Sequence, residues 1–160
     1  MKKFTLKKLM SLVVLFASLA LVSCGSDDDG ANSESNITIT DTDGLKIELI
    51  WTVENSSNPE SDVDLDFEVL DSDGEDVVDA SRVDAFESEN FLSSLNDGVY
   101  RIVIEYFEGS SVASYSLTIR GLNGTDTQTV NGEIGNSGTD DNTTISVITF
   151  EKSGDVYTFM

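Results

Sequence analysis

Asp62, Asp64, Asp66 and Glu68 recur at every second position of one short stretch, and Asp71-Ser72-Asp73-Gly74-Glu75 follows directly. In an extended strand alternate side chains share a face, so successive carboxylates of such a row stand about 6 to 7 Å apart. Two unit charges at that separation repel by about 0.6 kcal/mol in water and about 2.5 kcal/mol at an effective dielectric near 20. A row of this kind is either solvated, as on any acidic strand pair, or it holds cations. Calcium is the cation to expect, a hard ion that collects about 6 to 8 oxygen ligands from carboxylates and carbonyls. Asp62, Asp64, Asp66, Asp71 and Asp73 are its candidate ligands.

The residues that are missing exclude much other chemistry. The chain has 160 residues, no histidine and one cysteine, Cys24. Ser-His-Asp and Cys-His catalysis and His-ligated zinc are therefore out of reach. A pair of carboxylates could still act on a glycosidic bond, but no motif singles out one pair among so many, and the expectation is that the protein is not an enzyme. There are 30 acidic against 9 basic residues, a formal net charge of −21. Nucleic acid is a poor partner for such a surface, since binding it requires clustered Lys and Arg to displace counterions.

Four of the nine bases, Lys2, Lys3, Lys7 and Lys8, precede an apolar run from Leu9 to Val22 that Ser11 and Ser18 interrupt. That run is shorter than the roughly 20 residues of a membrane-spanning helix, and with its basic flank and small-residue exit it reads as a secretory signal over residues 1–23. Cys24 stands directly after Leu21-Val22-Ser23, which resembles the lipobox of bacterial lipoproteins. The resemblance implies that the thiol is lipidated and that the cysteine becomes the new N-terminus, tethering the protein to a membrane without spanning it. Ser26, Asp27, Asp28 and Asp29 resemble the export signal that sends some lipoproteins to the outer face of the outer membrane, although acid runs also simply begin solvated linkers. Residues 24–35 hold no apolar side chain larger than alanine after the cysteine and read as a flexible tether.

From Asn36 to Met160 apolar and polar residues alternate with period two, and no helical stripe persists. Strands are expected at Ile37–Ile39, Leu45–Val53, Val63–Val69, Val99–Phe107, Tyr115–Arg120, Ile145–Phe150 and Val156–Phe159. Weaker ones are expected around Val77-Val78, Ala85–Phe91 and Thr127–Ile134. Asp43-Gly44, Asp73-Gly74, Asp97-Gly98, Asn123-Gly124, Asn131-Gly132 and Ser153-Gly154 have the composition of hairpin turns. The stretches Asn55–Ser61 and Gly135–Asn142 read as loops. About eight to ten half-buried strands predict an all-β domain over 36–160, an antiparallel β-sandwich or jelly roll. Trp51 is in phase with Leu45, Ile47 and Leu49, and Tyr100 and Tyr106 with Ile102 and Ile104, so these rings belong to the core and no sugar-stacking platform is evident.

The stretch Leu45–Trp51 followed by Ser61–Gly74, with its D-x-D-L strand and D-x-D-G turn, is similar to prepeptidase C-terminal (PPC-like) domains of bacterial extracellular proteins. Asn96-Asp97-Gly98-Val99-Tyr100-Arg101-Ile102-Val103-Ile104 resembles the G-x-Y-x-V-x-V strand that follows in that family. The resemblance covers residues of about 45 to 120 and implies a non-catalytic sandwich, a kind of module that in some members binds calcium or substrate polymers. No catalytic domain is expected beside it. The expectation is a surface-displayed lipoprotein of a bacterial outer membrane, a binding or adhesion module for an extracellular polymer, glycan or envelope protein. The alternative is a structural or assembly component of a cell-envelope protein complex.

Overall fold

In the computed structural model of the chain, residues 36–81, 85–135 and 142–160 are described. Ten strands run through them: β1 (Thr38–Thr40), β2 (Gly44–Val53), β3 (Val63–Leu70), β4 (Asp76–Ala80), β5 (Phe86–Leu92), β6 (Gly98–Gly109), β7 (Ala113–Gly121), β8 (Thr127–Ile134), β9 (Thr143–Ser153) and β10 (Val156–Phe159). All pairings are antiparallel, in a six-stranded sheet of order β1-β10-β9-β6-β3-β4 and a four-stranded sheet of order β5-β2-β7-β8. The expected sandwich is therefore present, with each period-two stretch forming a strand.

The alternation decides what lies between the sheets. Leu45, Ile47, Leu49 and Trp51 of β2 and Val63, Leu65, Phe67 and Val69 of β3 are buried, as are Tyr100, Ile102, Ile104 and Tyr106 of β6. At about 25 cal/mol per Å² of apolar surface removed from water, this shared core is the main driving force of the fold. One end of it is aromatic: Phe91 meets Tyr100 edge to face with ring centroids 4.7 Å apart, and Phe150 stacks on Tyr100 at 5.6 Å. Tyr hydroxyls then hold the loops. Tyr106 Oη donates to the Ser111 carbonyl at 2.9 Å across the β6–β7 connection, and Tyr100 Oη donates to the Asn96 carbonyl at 2.7 Å.

Trp51 joins the sheets by a single bond. Its indole Nε1 donates to the Val63 carbonyl at 3.0 Å, and the ring is 1% exposed. Trp51→Phe keeps most of the apolar contact but leaves that carbonyl unbonded, so a loss of about 2 kcal/mol is expected in urea unfolding. An unchanged denaturation midpoint would show that the bond contributes nothing.

Two glycines are fixed by close approach. Gly44 has φ +125°, and a Cβ there would lie 2.1 Å from the Phe91 carbonyl oxygen. Gly132 differs from the turn expected at Asn131-Gly132. It lies within β8, opposite Tyr115, whose hydroxyl would be 2.5 Å from an added Cβ. The glycine makes room for the ring to cross the neighbouring strand, a reason that turn statistics do not contain.

Candidate functional site

On the outer side of the six-stranded sheet, β3 turns Asp64, Asp66 and Glu68 away from the core, as the alternation predicts. Asp62 differs from its expected place in that row. It precedes the strand, in an αR conformation that closes the 3-10 turn Pro59–Ser61. Asp66 differs in another way: on the outer face, it is only 6% exposed. Its register partner on β6 is Glu105, while Asp64 faces Glu108 and Glu68 faces Asp79 of β4. Glu108 reaches this position through a β-bulge. The pairs Asp64–Glu108 and Leu65–Tyr106 leave Phe107 as the extra residue, which rotates Glu108 onto the acidic face.

Charge accumulates where water is scarce. Burial, then the charge of Asp64, push the Asp66 carboxyl up to about 6, with Glu105 and Asp79 adding to the rise and a hydrogen bond with Ser81 opposing it. Burial and Glu108 raise Asp64, and burial with Asp76, Glu105 and Asp79 raises Glu68. Oδ1 of Asp64 and Oδ1 of Asp66 are buried with no hydrogen-bond partner among the described residues. A surface depression of about 470 Å³ opens beside Asp64, lined also by Glu60, Asp62, Glu108 and the chain at Gly109-Ser110.

The other two candidate calcium ligands lie elsewhere. Asp71 and Asp73 belong to the β3–β4 turn, at the opposite end of an 8-residue strand from Asp62, a span of about 25 Å. Asp71 Oδ1 already accepts the backbone N–H groups of Asp73 and Glu75 at 2.9 and 3.0 Å, an Asx-type closure of the turn. The five acids therefore form two separate groups. Among the described residues no three acidic, histidine or cysteine side chains are gathered so as to hold a metal ion. Cys24, Ser26, Asp27, Asp28 and Asp29 lie outside the described residues, and so do most of the loop expected over Gly135–Asn142.

The turn end of the sandwich is held by a residue that pattern reading passed over. Asp41 is 6% exposed, and its Oδ1 accepts the N–H groups of Asp43 and Gly44 while its Oδ2 accepts that of Asn123 at 2.7 Å. Its own N–H donates to the Asp155 carbonyl. The carboxylate thus ties the β1–β2 connection to the β7–β8 connection, and the backbone N–H of the same residue adds the β9–β10 connection. Burial pushes its pKa up, but the N–H groups of Asn123, Asp43, Gly44 and Gly124 outweigh that and hold it below the ordinary value. Nearby, Asn123 Nδ2 donates to Asp43 Oδ2. Asp97 at the same end accepts from the Lys152 ammonium at 2.8 Å and from the Gly154 N–H at 2.9 Å.

The strand directions sort the loops into two groups. The chain enters at Asn36-Ile37, beside the C-terminal end of β10, whose Phe159 N–H bonds the Ile37 carbonyl. Antiparallel pairing then carries the connections at 41–43, 71–75, 93–97, 122–126 and 153–155 to the opposite end. Asp43, Asp71, Asp73, Asp97, Asp126 and Asp155 stand on those connections. Beside the connection at 71–75, Asp71, Asp73, Val99, Tyr100, Arg101 and Thr149 border a depression of about 380 Å³.

Trp51, Tyr100 and Tyr106 are buried as their phase predicts, and Tyr157 is fully buried. Burial pushes the Tyr157 hydroxyl up to about 12. None of these rings is a flat exposed platform. No helix among the described residues is long and apolar enough to cross a membrane. No family model, no curated protein and no solved structure matches the chain.

Proposed function

We propose that this chain is a non-enzymatic lipoprotein of a bacterial outer membrane, attached through Cys24 and displayed at the cell surface. Its sandwich would act as a binding or adhesion module for an extracellular polymer, a glycan or an envelope protein, with calcium neutralising part of its acidic surface. The observation that supports this most is the polarity of the sandwich. The described chain begins at one end, at Asn36-Ile37, and five connections gather at the opposite end. Binding residues concentrate on loops that a rigid scaffold positions. The PPC-like motifs in β2, β3 and β6 support the same class of module, in which the ligand is met by an accessory domain that performs no reaction.

The test follows the cysteine and the aspartates separately. In cells fed a clickable palmitate, the parent chain should take up label and fractionate with membranes, and Cys24→Ala should lose the label and appear in the soluble fraction. Replacing Asp27, Asp28 and Asp29 by Ala should keep the lipid but protect the sandwich from protease added to intact cells. A parent chain that is unlabelled, or that resists the protease, would overturn the display reading. Copurification of a fixed set of envelope proteins after cross-linking would instead favour a role in assembly.

A further inference from the structure

Three pairs of like charge face each other across strands on one sheet face: Asp64 and Glu108, Asp66 and Glu105, Glu68 and Asp79. Like charges directly opposite each other destabilise a sheet, whereas alternating sign is free to the sequence. Among the described residues, the base in register on this face is Arg101, opposite Leu70 at the far end of β3. Proximity is not the whole of it. Asp66 is 6% exposed, Ser81 engages its carboxylate, and yet Oδ1 has no partner among the described residues; Oδ1 of Asp64, two residues away on the same face, is in the same state. A buried carboxylate oxygen without a donor is costly and calls for a proton or a positive ion. A guanidinium or ammonium from another protein cannot reach oxygens that are already covered, but a small ion can.

We propose that a hard divalent cation, calcium or magnesium, binds on this face between Asp64 and Asp66 and takes Oδ1 of each. Because no third acid converges on the same point among the described residues, water supplies most of the remaining ligands. Glu105 and Glu108 add negative potential from the facing strand. Magnesium commonly binds through one or two carboxylates while keeping its water, and calcium accepts the same oxygens with looser geometry. The depression lined by Glu60, Asp62 and Glu108 opens beside Asp64 and gives the ion its way in from solvent. The inference rests on the cation part of the reading above and narrows it, since Asp71 and Asp73 are left out of the ligand set.

The purified full chain, in detergent and stripped of metal, is melted in calcium, in magnesium and in chelator, alongside Asp64→Asn, Asp66→Asn and Asp73→Asn. With the ion at about 100 times its dissociation constant, the parent and Asp73→Asn should melt roughly 8 °C higher than in chelator. Both substitutions on β3 should abolish that rise, and the arm in which it is larger identifies the ion. Coincident melts of the parent in all three solutions would defeat the proposal, as would a rise that survives Asp64→Asn and Asp66→Asn. Should either variant fail to fold, titration of the cation into the other by calorimetry decides: at least a tenfold loss of affinity is expected, and parental affinity refutes the site. The readout needs neither lipid nor cell surface, so its failure leaves the display reading standing.

Discussion

At pH 7.5 in chelator, the Asp66→Asn chain should melt about 10 °C above the parent, a stabilisation of about 3 kcal/mol from the removal of one charge. The size follows from the proton equilibrium. The carboxyl has its ordinary value of 3.8 in the unfolded chain and about 6 in the folded one. Above pH 6 it is ionised in both states, and the folded state bears the full cost of a buried anion beside Asp64, Glu105 and Asp79. Between 3.8 and 6 the folded chain binds a proton that the unfolded chain lacks, so stability falls as pH rises through that window. Below 3.8 both states are protonated and the cost is gone. The parent should therefore gain stability on acidification from pH 7.5 to 4.5, and the variant should gain much less. Asp64 and Glu68 are raised for the same reason and leave a residual slope in the variant. Asparagine is close in shape and can still meet Ser81. Equal melting temperatures at pH 7.5, or parallel pH profiles, would mean that the Asp66 charge is screened in solution and that the covered face is wet.

How far this face was legible in the sequence is shown by its own residues. The period of two placed Asp64, Asp66 and Glu68 on the outside and Leu65 and Phe67 inside, because a strand gives each side chain only two directions. Ten strands and the burial of Trp51, Tyr100 and Tyr106 were readable on the same ground. The identity of the neighbours was not. Glu105 and Asp79 come from strands far away in sequence, and Glu108 arrives only because Phe107 is bulged, a register change that no local pattern announces. Nor does the alternation tell whether an outward position is wet, because a strand between β6 and β4 can bury an outward carboxylate under its neighbours' side chains. Asn131-Gly132 misled for a related reason. A dipeptide suited to a turn became part of a strand because Tyr115, across the sheet, needed the space. Asp41 carried no signal beyond standing before a turn, since its third donor, the Asn123 N–H, lies 82 residues further on.

Asp41→Ala is the substitution expected to cost most at the turn end, about 4 kcal/mol at pH 7. Alanine leaves the N–H groups of Asp43, Gly44 and Asn123 without their acceptor in a covered corner, and each such donor is worth about 1 to 2 kcal/mol when its partner was charged. Asp41→Asn retains one acceptor oxygen but turns an amide toward the donors bound by the other, so about half the loss is expected. The pH dependence has the opposite sign to that of Asp66. The folded-state pKa of Asp41 lies below 3.8, so its contribution is complete above that value and disappears as pH falls through the folded value. The gap between parent and Asp41→Ala should thus be constant from pH 7 to about 5 and should close in strong acid. Amide exchange gives the local readout, with the Asp43, Gly44 and Asn123 N–H groups losing protection in the alanine variant before the β6 core does. A loss under about 1 kcal/mol would mean that water replaces the carboxylate and that the β1–β2 and β7–β8 connections do not depend on it. With Asp66 favouring protons below 6 and Asp41 needing its charge above its depressed value, the two carboxylates together place the most stable state of this chain in mild acid. A bound divalent cation would shift that optimum toward neutrality by doing for Asp66 what the proton does.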